Sequence, residues 1–169
     1  MISNEKVLKL LNDQMNFEFY SAHIYLGMAS YCSEQGLDGF ENWFKVQYQE
    51  EVAHAMKFFD FINSKGGKAI IANFGEVENS FDSILDALKS ALHHEEEVTA
   101  RINSIAKVAL ENADLTSFSF LQWFIDEQIE EEESVTKIIT DVERVGGEGL
   151  YLIDKELAAR VFTPISEGE

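Results

Sequence analysis

The chain carries a single proline, Pro164, in 169 residues. Residues 1–163 therefore lack the residue type that breaks a helix from within, although ordinary usage of about 5% would place several there. Such a chain is free to form long helices. Punctuation comes from glycine: Gly36 and Gly39, then Gly66, Gly67 and Gly75, then Gly146, Gly147 and Gly149. Helix-start signals lie beside these breaks. Ser3 precedes the first periodic segment, Asp38 with Glu41 and Ser83 with Asp86 resemble capping boxes, and residues 112–117 offer several N-caps. The pattern predicts an all-α protein, with long helices over about 4–34, 39–65, 83–111 and 115–145 and a short fifth over about 150–161. No β-type alternation competes, and the whole of 1–169 reads as one domain.

The connections set the expected topology. Helices one and two are joined by a few residues, as are three and four, so each pair should be antiparallel neighbours. The link over about 66–82 is much longer. Extended at ~3.3 Å per residue it covers ~50 Å, enough to run the ~45 Å of a 30-residue helix. It should cross the length of the bundle and make helices two and three parallel.

A 3-4 spacing laid on each helix gives four apolar stripes, and each is polar at its centre. Helix one reads Leu8, Leu11, Met15, Glu18, Ala22, Tyr25, Ala29. Helix two reads Phe44, Gln47, Glu51, His54, Phe58, Phe61. Helix three reads Leu88, Ala91, Glu95, Val98, Ile102, and helix four Leu121, Phe124, Gln128, Glu131, Val135, Ile138. The interruptions fall near the helix midpoints, so Glu18, Glu51, His54, Glu95, Gln128 and Glu131 should face one another across the core at one height. A single core glutamate is most simply a satisfied polar residue. Four at matching heights, with no lysine or arginine on any stripe, would leave several buried charges uncompensated. Protonation could relieve one or two. Two divalent cations would neutralise all four. Oxygen ligands with one imidazole suit iron or manganese, and also zinc. Glu51 and His54 leave the same helix face, and a Glu-x-x-His pair with carboxylates from facing helices is a di-metal pattern of helix bundles.

Charge and cysteine content remove other classes. There are 31 acidic residues against 13 basic, a net charge of −18, which disfavours nucleic acid. The lone Cys32 supports neither an internal disulfide nor a Cys-x-x-Cys metal module. The start lacks the basic stretch and apolar run of a signal peptide, and no apolar run approaches the ~20 residues of a membrane span. A cytoplasmic protein without membrane partners is expected.

At these residues the sequence resembles the bacterial non-haem ferritins. The matching segments are residues 16–21 (Asn-Phe-Glu-Phe-Tyr-Ser), 49–54 (Gln-Glu-Glu-Val-Ala-His), His94-Glu95, 120–123 (Phe-Leu-Gln-Trp) running to 127–132 (Glu-Gln-Ile-Glu-Glu-Glu), and the tail over 147–157. The resemblance implies a ferritin-like four-helix bundle with a long crossover and a short fifth helix. It implies assembly into a hollow 24-subunit shell, oxidation of Fe(II) by dioxygen, and storage of ferric oxyhydroxide inside.

Carried over residue by residue, the resemblance gives one iron to Glu18, Glu51 and His54 and a second to Glu51, Glu95 and Glu131, with Glu51 bridging. Gln128 would lie near the second iron or bound oxygen. A third iron would be held beside the pair by Glu50, Glu127 and Glu130, with Glu131 as a possible shared ligand; an acidic run such as 130–133 is otherwise a solvated face. Tyr25 is either a redox-active tyrosine or a core tyrosine with a hydrogen-bonded hydroxyl. Trp123 is a second candidate electron source, with core packing as its plainer role. Bacterioferritins differ by a second Glu-x-x-His on helix four and a haem-ligating methionine after the bridging glutamate. This chain has Gln128-x-x-Glu131 and Val52 there, so haem is not expected. His93 and His94 are expected at solvent or a subunit contact. A non-storing di-iron peroxidase or oxygenase is the alternative enzyme, and an acidic scaffold binding no metal is the non-enzyme reading.

Overall fold

The computed structural model describes residues 4–165. Its elements are α1 (Glu5–Glu34), α2 (Asp38–Ser64), α3 (Ile84–Glu111) and α4 (Leu115–Leu157). No strand occurs among the described residues, and none of its helices is long and apolar enough to cross a membrane.

Cross-helix contacts give the directions. On α1 and α3, Gln14 meets Arg101 while Ser21 meets His94. On α2 and α4, Gln47 meets Glu131 while Phe61 stacks on Phe120. Each of these pairs is antiparallel. The long link lies along α1 throughout, held by a ladder of side-chain bonds to its backbone. Asn12 accepts from the Ile70 N–H at 2.7 Å, Asn16 accepts from the Ala72 N–H at 2.8 Å, and the Tyr20 hydroxyl donates to the Glu76 carbonyl at 2.8 Å. Further on, Tyr31 packs edge-on against Phe81. The crossover thus travels the bundle's length, and α2 and α3 run parallel. It needs no secondary structure because α1 satisfies part of its backbone.

Caps explain where helices begin. The Asn4 side chain accepts from the Lys6 and Val7 N–H groups, Ser83 from Asp86, and Asp114 from Ser117. Ser3, expected before α1, lies outside the described residues. α2 departs from expectation. Its N-cap is Leu37, which offers no side-chain acceptor, and Asp38 is already helical. The cap arrives from elsewhere: the Asp154 carboxylate accepts from the Gly39 and Phe40 N–H groups at 2.8 and 3.0 Å. A helix N-terminus favours an anion whichever part of the chain supplies it.

Asp154 belongs to the distal arm of α4. Gly146, at φ 62° and ψ −169°, breaks the helical path, a conformation open to glycine. The expected short fifth helix is therefore present only as this arm beyond Gly146, and it ends at Leu157, short of residue 161. Asn42 fastens the chain beyond the arm by donating to the carbonyls of Leu157 at 3.1 Å and Arg160 at 2.9 Å.

The apolar interior falls into two blocks. One joins Tyr25, Met28, Phe40, Trp43, Phe44, Leu88 and Val135 with Ile153 of the arm. The other joins Leu11, Met15, Phe58, Ile62, Val98, Ile102, Leu121 and Phe124. Between them lies a polar layer.

Candidate metal centre

The polar layer is deeply enclosed. Glu18 and Glu95 are 0% exposed, Glu51 1%, His54 and Gln128 2% and Glu131 5%. Each helix delivers its members from the face that elsewhere carries Leu, Phe and Ile, so burial follows from helical period and not from any affinity of carboxylates for the core. Glu18, Glu51 and His54 bring ligand atoms within 4.8 Å of one another, and so do His54, Glu127 and Glu131.

Several of these groups have protein partners. Gln14 donates to Glu18 Oε1 at 2.7 Å. Gln47 donates to Glu131 Oε2 at 2.8 Å. Glu95 receives the Tyr25 hydroxyl on one oxygen and Gln128 Nε2, at 3.0 Å, on the other. Gln128 also approaches the Thr99 hydroxyl at 3.3 Å. Other atoms lack a hydrogen bond: Glu18 Oε2 and both oxygens of Glu51 are buried without one, although Glu51 Oε2 lies 3.6 Å from His54 Nδ1. Buried polar atoms are rarely left so, and carboxylate oxygens accept cations as readily as N–H groups.

Burial pushes three of the carboxyls up. Glu131 is raised to about 8, first by desolvation and then by the charge of Glu95. Glu51 is raised well above the usual range by desolvation, against the opposing pull of His54, and Glu95 is raised by desolvation as well. Desolvation lowers His54, but the charge of Glu51 and contacts with Glu127 and Glu51 outweigh it, and the net direction is strongly upward. Without metal the layer therefore holds protons. A carboxyl raised in the folded state stabilises it fully below the unfolded value near 4.5, and that stability is lost as pH rises through the folded value. The metal-free protein should thus melt at progressively lower temperature as pH rises toward about 8, while Zn(II) binding tightens over the same interval because the ion displaces protons. Thermal melts and zinc titrations at stepped pH check both slopes; a flat pair contradicts the buried-proton account.

The remaining expected residues are more scattered. Glu50 is half-buried and bonded to Arg160 Nη2 at 2.7 Å, with the Arg160 guanidinium also over the Trp43 ring. Glu127 lies 3.8 Å from His54 Nε2. Glu130 is exposed. Glu50 feels the charge of Glu127, and Glu131 that of Glu50, so three members of the expected third set are neighbours. Trp123 packs edge-on to His54 and lies under the Lys57 ammonium. His94 corrects the expectation of a solvent or subunit contact. It is buried, bonded to Ser21 Oγ at 2.7 Å and stacked on Phe17, and burial lowers it to about 4. Its neighbour His93 is exposed as expected.

Sequence reasoning missed the supporting residues. Gln47 is visible as a polar member of its stripe. Gln14 and Arg101 lie off the stripes: the i, i+4 spacing that brings Gln14 to Glu18 is legible in the sequence, whereas only the fold brings Arg101 to Gln14.

An α-helical bundle with a buried layer of four glutamates and one histidine defines the class of carboxylate-rich metal-binding bundles. The family described as "Ferritin-like domain" matches residues 8–145. A bacterial non-heme ferritin of Staphylococcus aureus is 40% identical over 161 residues, covering 94% of this chain and 97% of its own length. One from Staphylococcus epidermidis is 42% identical over 164 residues, covering 96% and 98%. Among solved structures, an open pore ferritin from the hyperthermophilic archaeon Archaeoglobus fulgidus superposes with a TM-score of 0.92 at 42% identity, covering 94% of this chain and 99% of that one. The chain belongs to the ferritin family, and its function is iron storage.

Proposed function

We propose that the chain is a ferroxidase as well as a store: it oxidises Fe(II) with dioxygen at a paired site and keeps the ferric product inside a shell of its own copies. The observation that carries this reading is the set of buried carboxylate oxygens with no hydrogen bond, Glu18 Oε2 and both oxygens of Glu51. They are an acceptor set that cations would satisfy. Glu18, Glu51 and His54 would hold one iron, and Glu51, Glu95 and Glu131 the other, with Glu51 shared and Gln128 beside the second. Hard anionic oxygens favour Fe(III) over Fe(II) and so favour electron loss to oxygen. Neighbouring irons supply one electron each. Glu50, Glu127 and Glu130 would form a third position, with Glu131 as a shared ligand, and Glu50 has one oxygen outside its bond to Arg160 to offer.

Tyr25 acts here through its hydroxyl, which donates to Glu95, and as a local electron source. Burial, and then the charges of Glu95, Glu51 and Glu131, raise its hydroxyl well above 10 and keep it protonated. Tyr25→Phe should leave zinc stoichiometry unchanged and slow the later phase of iron oxidation about 10-fold, the low end for an outer partner of a ligand. Stopped-flow traces identical to wild type would remove the redox role.

The shell is proposed as a cytoplasmic 24-subunit particle, with residues 1–169 forming one domain per subunit. Particle mass and retained iron, measured together after adding Fe(II) and air, test the whole reading. A large iron-filled particle supports it. Oxidation without a particle favours a non-storing di-iron peroxidase or oxygenase, and a particle that neither oxidises nor retains iron excludes the ferroxidase.

A further inference from the structure

Glu18, like Glu131, takes a glutamine amide on one oxygen, but the glutamine at Glu18 is itself braced from another helix. Glu18 Oε1 is committed to Gln14 and Glu18 Oε2 to nothing. What decides this is the orientation of the Gln14 amide, which has two ends of similar shape and opposite hydrogen-bonding character. Arg101 on α3 settles the choice. Its Nε donates to Gln14 Oε1 at 3.0 Å. A guanidinium has only donors, so the end of the amide facing it must be the oxygen. The amide nitrogen is then forced toward Glu18, where it donates at 2.7 Å. Arg101 is itself fixed, because its guanidinium lies 3.9 Å over the ring of Phe17, the residue before Glu18. Gln14 is 0% exposed, so water does not compete for the amide.

We propose that Arg101, which touches no metal ligand, is a positioning residue for the metal site at Glu18, Glu51 and His54: it locks the Gln14 amide so that Glu18 presents a single oxygen to the ion. This rests on the paired-site reading. Without Arg101 the amide is free to turn. Only its single bond to Glu18 would then orient it, so Glu18 would be held by a donor that is no longer braced.

The test is a titration of the metal-free protein with Co(II) in the absence of oxygen, followed by visible absorption, on the wild type, Arg101→Met, Gln14→Met and the double variant. Methionine keeps an unbranched apolar stem at each position and removes the polar contact. Arg101→Met should weaken one class of Co(II) site by about 10- to 100-fold, the range for outer-shell partners of a ligand, and leave the other class unchanged. In the Gln14→Met background the same substitution should have no further effect, because its only route to Glu18 is already gone. A purely structural role would instead lower both sites, or lower affinity equally in both backgrounds, and either result overturns the proposal. So does unchanged affinity in Arg101→Met. A wild type that takes up no Co(II) overturns the paired-site reading as well, which separates the two failures.

Discussion

Glu51→Ala should reduce the initial rate of Fe(II) oxidation by at least about 100-fold, since loss of even an outer partner of a ligand costs about 10- to 100-fold and this residue is proposed to serve both ions. The same substitution should barely change the melting temperature of the metal-free protein. Two effects oppose each other there. Removing one buried methylene costs about 0.8 kcal/mol. Removing a buried carboxyl with no hydrogen bond on either oxygen relieves a penalty of about 1–3 kcal/mol, offset in part by loss of the contact between Oε2 and His54 Nδ1 at 3.6 Å. The expected signature is a split, with catalysis abolished and metal-free stability retained. Metal should raise the melting temperature of the wild type and lose most of that effect in the variant. Wild-type oxidation by Glu51→Ala would remove the shared-ligand role, and a collapse in metal-free stability would show that Glu51 serves the fold.

Gly39→Ala should do the reverse. A β-carbon at Gly39 would sit 1.6 Å from the Asp154 carbonyl oxygen and 2.5 Å from its carbonyl carbon. Both are backbone atoms, so no side chain can move aside, and the distal arm of α4 must lift from α2. With it go the Asp154 cap on α2, the Asn42 bonds and the seat of Ile153. Overpacking of about 1–3 kcal/mol and loss of a cap worth about 0.5–2 kcal/mol together give about 3 kcal/mol. At about 2–4 °C per kcal/mol for a chain of this size, the melting temperature should fall by about 6–12 °C. Cleavage after residue 146 should become faster in limited proteolysis. Glu51 lies twelve residues further along α2, ~18 Å on the helix axis, so oxidation per folded subunit should persist. An unchanged melt with an intact arm would contradict the close contact.

Much of this molecule can be read from its residues, because helices follow period and punctuation. The boundaries at Glu34, Ser64 and Glu111 fall within a residue of those expected from the glycine and N-cap signals, and the polar interruptions meet in the core as their common height requires. The features that escape such a reading are set by contacts distant in sequence. Asp38 has the chemistry of a cap, yet Asp154, more than a hundred residues away, caps the helix. His94 sits beside Glu95, off the apolar stripe, but the ring of Phe17 and the hydroxyl of Ser21 cover it. Arg101 also stands off its helix's apolar stripe, so its tie to Gln14 is visible only when α1 and α3 are placed side by side.

The division of the interior into two oily blocks changes what the bound ions mean for this chain. Stripped of them, the two blocks are joined across the girth by protonated acids and a few hydrogen bonds, such as Gln47 to Glu131 and Gln128 to Glu95. Filling that girth with cations fastens one block to the other, so stiffness and cargo arrive together, and an empty subunit is a softer object than one that has begun to work.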